Sequence, residues 1–311
     1  MTITSVTSGN TSSGFPVTSG NELLVLSGGT AIATNVQSGG SLVVSGGTDT
    51  GATISSGATE TISAGTAAAD QIFGTATVTG ASATAINETV HSGGTMNLFS
   101  GVALATTVGS SGGLLNVSGG NTAYATVLSG GGEVELSTSG ATLAGTLTFV
   151  GSNNELNLTK VLSATATNQV ELFGFAASDK IAVSGVAFAG ESTTFTTNTV
   201  NDTTSVTVSG TGGSETLILA GTTEYSSSTV SVVSNTASSF FIETSVPVGA
   251  ATTVTTSTAS GAFTETFNET LIVSSGGSIS AATIDAGASL IVSGGTDASA
   301  TISLGGMEAV A

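Results

Sequence analysis

Tripeptides of the Ser-Gly-Gly type punctuate this chain at a fixed beat. Their first glycines fall at Gly28, Gly39, Gly46 and Gly57, so the steps are 11, 7 and 11 residues. The same three steps return at Gly101, Gly112, Gly119 and Gly130, and again at Gly276, Gly287, Gly294 and Gly305. Three runs with one alternation define a repeat of 18 residues, closed by a turn after each half. Glycine at fixed places suits tight turns that need positive φ.

A short apolar segment precedes each turn. Leu42 and Val44, Leu115 and Val117, and Leu290 and Val292 stand at equal offsets before Ser-Gly-Gly. Residues two apart on a strand share a face, so each pair points the same way. The other half of the repeat offers Val36, Ile54, Val127, Ile284 and Ile302, and the offsets slip by one near Met96 and Leu98. A unit this short cannot bury its own apolar face, but it can when stacked on copies of itself. The expected fold is therefore all-β, a parallel β-helix (β-solenoid) with 18-residue coils in the regular parts. About 16 coils, each rising about 4.8 Å, would span roughly 75–80 Å.

Composition agrees and narrows the function. Only Lys160 and Lys180 are basic against 20 acids, there is no cysteine, and His91 is the sole histidine. A disulfide scaffold, a thiol enzyme and a Cys/His metal site are excluded. Two lysines cannot neutralise a run of phosphates, which argues against nucleic acid as a partner. Mean hydropathy of +0.43 is too high for a disordered chain. Thr and Val favour strands, and Gly, Ser and Thr are poor helix formers.

A longer repeat overlies the short one. Displaced by 248 residues, the start of the chain aligns with its end without a gap, and 27 of the 59 positions from 4 to 62 are identical. Shared composition would give about one in eight, so this is a duplication. The expected organisation is regular repeats over 1–149, a less regular β-solenoid segment or small β insert over 150–248, and over 249–311 the start of a second module that duplicates 1–63. In the central part, Lys180–Ser184 and 205–209 alternate as strands, and Pro247 and Gly249 mark the seam.

The segments Ser38-Gly-Gly-Ser-Leu-Val-Val-Ser-Gly-Gly-Thr48 and Ala288-Ser-Leu-Ile-Val-Ser-Gly-Gly-Thr296 resemble the strand-loop-strand repeats of bacterial autotransporter passengers, the AIDA-I and antigen 43 adhesins. The resemblance covers about 21–145 and 265–311. Phe173-Gly-Phe-Ala-Ala-Ser-Asp-Lys-Ile181 is similar, more generally, to large secreted bacterial repeat proteins. The resemblance implies a right-handed β-helix exported from a Gram-negative cell and used for adhesion or self-association. It also implies candidates for sugar attachment on repeat Ser and Thr. Met1 to Gly20 has neither a basic nor an apolar region of signal-peptide type, and no membrane-barrel pattern or helix anchor follows, so this chain is expected to carry no export signal and no membrane insertion.

Candidate chemistry is sparse. His91 reads as a solvated turn residue before Ser92-Gly93-Gly94, and Glu133 and Glu135 as neighbours on one wet strand face. Asp49 and Asp297 follow Gly-Gly-Thr in equivalent turns and read as solitary, short of the six to eight oxygens that calcium wants. The sequons Asn87-Glu-Thr89 and Asn268-Glu-Thr270 are expected by chance in so Ser/Thr-rich a chain. Thr-x-Thr does not recur at one coil position, as an ice-binding array would need. No catalytic, cofactor-binding or metal residue is therefore assigned. The expectation is a non-enzymatic, secreted or surface-displayed structural or adhesin protein that promotes adhesion, aggregation or matrix formation, with another copy of itself or cell-surface glycans as partner. Two other readings stand beside it: a filament or surface-layer subunit stacking end to end, and a glycan-binding or glycan-cleaving β-helix using two suitably spaced carboxylates.

Overall fold

The computed structural model describes residues 2–109, 111–138, 140–159, 167–184, 192–201, 203–210, 213–220, 225–236, 239–246, 251–254, 257–259, 264–265, 269–274, 277–284, 288–293, 295–302 and 307–310. It is all-β, a parallel β-solenoid of about 12 turns, with no helix among the described residues. The chain divides into two units, one of residues 1–144 and 156–161, the other of 145–155 and 162–311.

In the first unit each turn contributes to three parallel sheets. The first face stacks Ile3–Val6, Glu22–Leu26, Ser41–Thr50, Thr59–Ala68, Thr75–Val78, Thr95–Leu98, Leu114–Val117 and Glu133–Leu136. A second face runs through Thr11–Ser13 and Thr30–Ile32, the far ends of Ser41–Thr50 and Thr59–Ala68, then Ala83–Ile86, Val102–Leu104 and residues 122–124. The third stacks Pro16–Val17, Asn35–Val36, Thr53–Ile54, Gln71–Ile72, Thr89–Val90, Thr107–Gly109 and residues 127–129. Alternation sends Leu23, Leu42, Met96 and Leu115, with Val25, Val44, Leu98 and Val117, into the interior, where each is fully buried. Val36, Ile54 and Ile72 fill it from the third face.

The glycine beat has two physical causes. In Gly28-Gly29 the first residue takes φ 73°, the left-handed conformation of the turn. A Cβ on the second would lie 2.3 Å from the carbonyl oxygen of Val6 in the previous coil. Gly39-Gly40 repeats the arrangement, with φ 77° and then 2.4 Å to the Val17 oxygen. Conformation demands the first glycine and space demands the second. Gly101, Gly112, Gly119 and Gly130 also have positive φ, whereas Gly276, Gly287, Gly294 and Gly305 lie outside the described residues.

The coil length is less uniform than the sequence suggests. Along the third face the partners Thr53, Gln71, Thr89 and Thr107 step by 18, but Pro16 to Asn35 is 19 and Thr107 to Val127 is 20. On the first face the step from Thr59 to Thr75 is only 16, and from Thr75 to Thr95 it is 20. The turn Phe73-Gly74, two residues shorter than its neighbours, makes the short step, and the link from Val78 to Thr84, two residues longer than that from Ile62 to Thr66, makes the long one. One step later, the 20-residue coil carries Leu128 rather than Val127 into the Val108 column.

In the second unit, residues 146–148 pair in parallel with Thr167–Phe173, which pairs in parallel with Gly213–Ala220. From there the order changes. Ser192–Asn198, Thr203–Gly210 and Gly213–Ala220 form an antiparallel meander, and Ser239–Thr244 pairs antiparallel with both Val230–Thr236 and Lys180–Ser184. This part of 150–248 is thus a β insert, not a run of less regular coils. It uses strands that coils would otherwise occupy, hence about 12 turns rather than 16. Coiling resumes in three parallel sheets built on Ala251–Val254, Ser257–Ala259 and Thr264–Glu265. Leu271, Val273, Ile279, Ile284, Leu290 and Val292 form their core. Leu271 pairs with Leu290 and Leu290 with Glu308, the register of Leu23, Leu42 and Glu60 moved by 248 residues. The duplication is therefore structural as well as sequential. Ile302 departs from expectation, 36% exposed, on the last described strand of its sheet. Pro247 and Gly249 lie outside the described residues.

Candidate functional sites inside and outside the coil

Between the second and third faces each coil turns through one left-handed residue. Gly14, Ala33, Gly51, Ala69, Asn87, Ala105 and Ala125 occupy this corner, all with positive φ. Asn is among the few side chains that take such a φ cheaply, which gives Asn87 a structural place irrespective of its sequon. The residue after six of these seven corners turns inward: Thr34, Ala52, Asp70, Glu88, Thr106 and Thr126, each at most 1% exposed, whereas Phe15 after Gly14 is half-buried. Two of these carboxylates accept backbone N–H groups. Ala52 N donates to Asp70 Oδ1 at 2.6 Å, and Asp70 N donates to Glu88 Oε2 at 2.8 Å. Ile86 N donates to the other Glu88 oxygen at 3.3 Å. The second unit uses the same device: after Ser178 at φ 80°, buried Asp179 accepts from Asn154 N at 3.0 Å and from Ala176 N at 3.1 Å. That is the role of Asp179 within the Phe173–Ile181 segment.

Two further carboxylates enter the first unit's interior without such partners. Asp49 replaces alanine in a second-face column whose neighbours are Ala31 and Ala67. Glu60 replaces an apolar residue in the first-face column between Leu42 and Ala76. Asp49 is 0% and Glu60 1% exposed, and none of their four carboxylate oxygens has a donor at normal hydrogen-bond geometry, although the Asp70 carboxyl lies near both and Thr50 N and the Thr34 hydroxyl lie near Asp49. Asp49, Glu60 and Asp70 each present an oxygen within 4.8 Å of the other two. The reading of Asp49 as solitary is therefore overturned: the first face, the second face and the corner before the third each bring one carboxylate within reach of the other two.

No lysine or arginine occurs in residues 1–159. Burial pushes the Asp49 carboxyl up to about 6 and that of Glu88 up to about 7. Burial, and then the neighbouring carboxylates, hold Glu60 and Asp70 well above the ordinary range. The Asp179 carboxyl is raised to about 6 by burial as well. Asp297, the duplicate of Asp49, is half-buried; Ala300 N donates to its Oδ2 at 3.1 Å.

Outside, Glu133 and Glu135 share the outward face of Glu133–Leu136, paired with Leu114 and Asn116. His91 is not simply solvated. Its ring stacks on Phe73 at 4.1 Å with 3° between the planes, and its Nε2 lies 2.7 Å from Gln71 Oε1. Partial burial lowers its pKa. Thr11, Thr30, Thr48, Thr66 and Thr84 form an unbroken outward file on the second face. Thr-x-Thr pairs occur on adjacent first-face coils only at Thr59/Thr61 and Thr75/Thr77, so there is no broad double array. Lys180 lies 3.7 Å from Glu243 and over the ring of Phe241, while Lys160 and Asn268 fall outside the described residues.

These features define a parallel β-solenoid whose coils bury an apolar interior and ladder their outer faces. No family model matches the sequence, and no curated protein matches it. Among solved structures, the chain is similar to the crystal structure of a TibC-catalysed, hyper-glycosylated TibA fragment. The match covers 99% of this chain and 92% of that one, at 20% identity and a TM-score of 0.41. The assignment to the solenoid class rests on this chain's own strand pairing.

Proposed function

We propose that this chain is a non-enzymatic structural protein of the cell exterior, displayed or secreted by a Gram-negative bacterium, whose outer faces mediate adhesion or aggregation. The observation that carries the reading is the outward Thr file from Thr11 to Thr84, part of an outer surface built by repetition rather than around one centre. Repeated hydroxyls at the strand spacing offer many equal, weak contacts, which suit multivalent attachment to another copy or to a glycan coat. The carboxylates that converge, Asp49, Glu60 and Asp70, are at most 1% exposed and out of reach of a polysaccharide.

Beads coated with the purified chain should clump or bind bacterial cells. Charged replacements on the file, Thr30→Glu with Thr48→Glu and Thr66→Glu, should reduce that binding several-fold while leaving the circular dichroism unchanged. Cleavage of a polysaccharide, abolished by Glu133→Gln or Glu135→Gln, would overturn the reading in favour of a glycan-processing enzyme.

A further inference from the structure

The interior cluster of the first unit calls for a counter-charge that its own sequence does not supply. Six buried oxygens there lack a hydrogen-bond partner: both of Asp49, both of Glu60, Oδ2 of Asp70 and the hydroxyl of Thr34. Thr34 is not acidic. It is 1% exposed, and its hydroxyl lies beside the Asp49 carboxylate, favouring the charged form without closing a hydrogen bond of normal geometry. Leaving so many buried oxygens unpaired is costly, and three unneutralised carboxylates in such a place cost far more. Glu88 lies close by, but both of its oxygens are already taken by backbone N–H groups.

We propose that Asp49, Glu60, Asp70 and Thr34 form an interior calcium site that ties the first and second faces of the coil to the corner before the third. The donor set is all oxygen, which selects a hard cation over zinc or copper. One oxygen from each carboxylate lies within reach of the other two. With Asp49 and Glu60 binding through both oxygens, Asp70 Oδ2 and the Thr34 hydroxyl would complete about six, the lower end of calcium's coordination range. Carboxylate oxygens within 4.8 Å of one another can share one ion with ligands about 2.4 Å from it. Magnesium demands a near-ideal octahedron and keeps several waters, which an enclosed set of side-chain oxygens does not offer. The alanines in register with these carboxylates, Ala31, Ala67 and Ala76, are the small residues that leave such a space. In the duplicated module Asp49 and Glu60 recur as Asp297 and Glu308, but Ala282 stands for Thr34 and Glu308 is exposed, so the full donor set is not repeated there.

An ion enclosed on three sides enters as the coil closes, so the test starts from unfolded protein. The full 311-residue chain is unfolded in guanidinium with a chelator, then refolded without metal, with calcium or with magnesium. Elemental analysis after gel filtration should find one calcium per chain, with a Tm several degrees above the metal-free form and no comparable gain from magnesium. Asp49→Asn and Glu60→Gln should abolish calcium retention and the calcium-dependent Tm rise. Thr34→Val, which keeps shape and volume, should weaken retention at least several-fold in a chain that still folds, and Glu133→Gln should leave it unchanged. Equal Tm and no retained metal in all refolding conditions would overturn the proposal. So would Glu60→Gln raising the neutral-pH Tm above that of the unaltered chain in calcium, the mark of carboxyls that share protons instead.

Discussion

At the scale of single residues, the corner after each second-face strand explains why a chain with so few charges buries several. The left-handed turn leaves the next N–H facing inward, and Asp70, Glu88 and Asp179 each reach back one coil to accept it. The arrangement has a pH signature. Asp49, Glu60, Asp70, Glu88 and Asp179 all have folded-state pKa values raised above their ordinary ones, chiefly by burial. Between about pH 4 and pH 7 the metal-free folded chain therefore binds more protons than the unfolded chain, and stability falls as pH rises through that window. Thermal unfolding in chelator should show a lower Tm at pH 7.5 than at pH 4.5; the reverse slope would contradict the buried assignment. Asp179→Asn removes one of two acceptors that hold Asn154 N and Ala176 N, and at neutral pH should cost about 1–3 kcal/mol in urea unfolding.

At the scale of the coil, the turn and the strand make separable contributions. Gly20 and Gly40 are a matched comparison. Gly20 has φ 75° and open space around its absent side chain, whereas a Cβ on Gly40 would meet Val17 O at 2.4 Å and Gln37 O at 3.0 Å. Gly20→Ala should cost about 1 kcal/mol for its left-handed backbone. Gly40→Ala should cost more, about 1–3 kcal/mol or above, because the coil beneath must shift. Leu42, fully buried between Leu23 and Glu60, sets the scale for the strand itself: Leu42→Ala should cost about 2–5 kcal/mol. Denaturant titration of the three variants checks the order. Equal losses for the two glycines would show that conformation, not close approach, explains the second glycine of each turn.

For the molecule as a whole, the net charge of −18 acts as one body of like charge. Added salt screens such repulsion, so raising NaCl from low to about 0.5 M should raise Tm. The effect should be the same for Glu60→Gln and the unaltered chain if it arises from surface charge rather than from the interior cluster. What could be read from the amino-acid order was whatever repeats by translation. The 11/7 glycine beat, the inward Leu42, Val44, Leu115, Val117, Leu290 and Val292 and the 248-residue duplication are all one-dimensional regularities, and stacking identical units is what makes them regular. The antiparallel insert was not legible, because an alternating strand such as Lys180–Ser184 looks the same whichever direction its partner runs. Nor was the carboxylate cluster. Laying coils on one another at 18 residues does put Glu60 on Leu42 and Asp70 on Ala52, a hint that acids occupy interior columns. Yet Asp49, Glu60 and Asp70 stand 11 and 10 residues apart, on no common period, and come from two faces and a corner of the coil. Periodicity says which way a side chain points, whereas only the closure of three faces around one axis decides which of them meet.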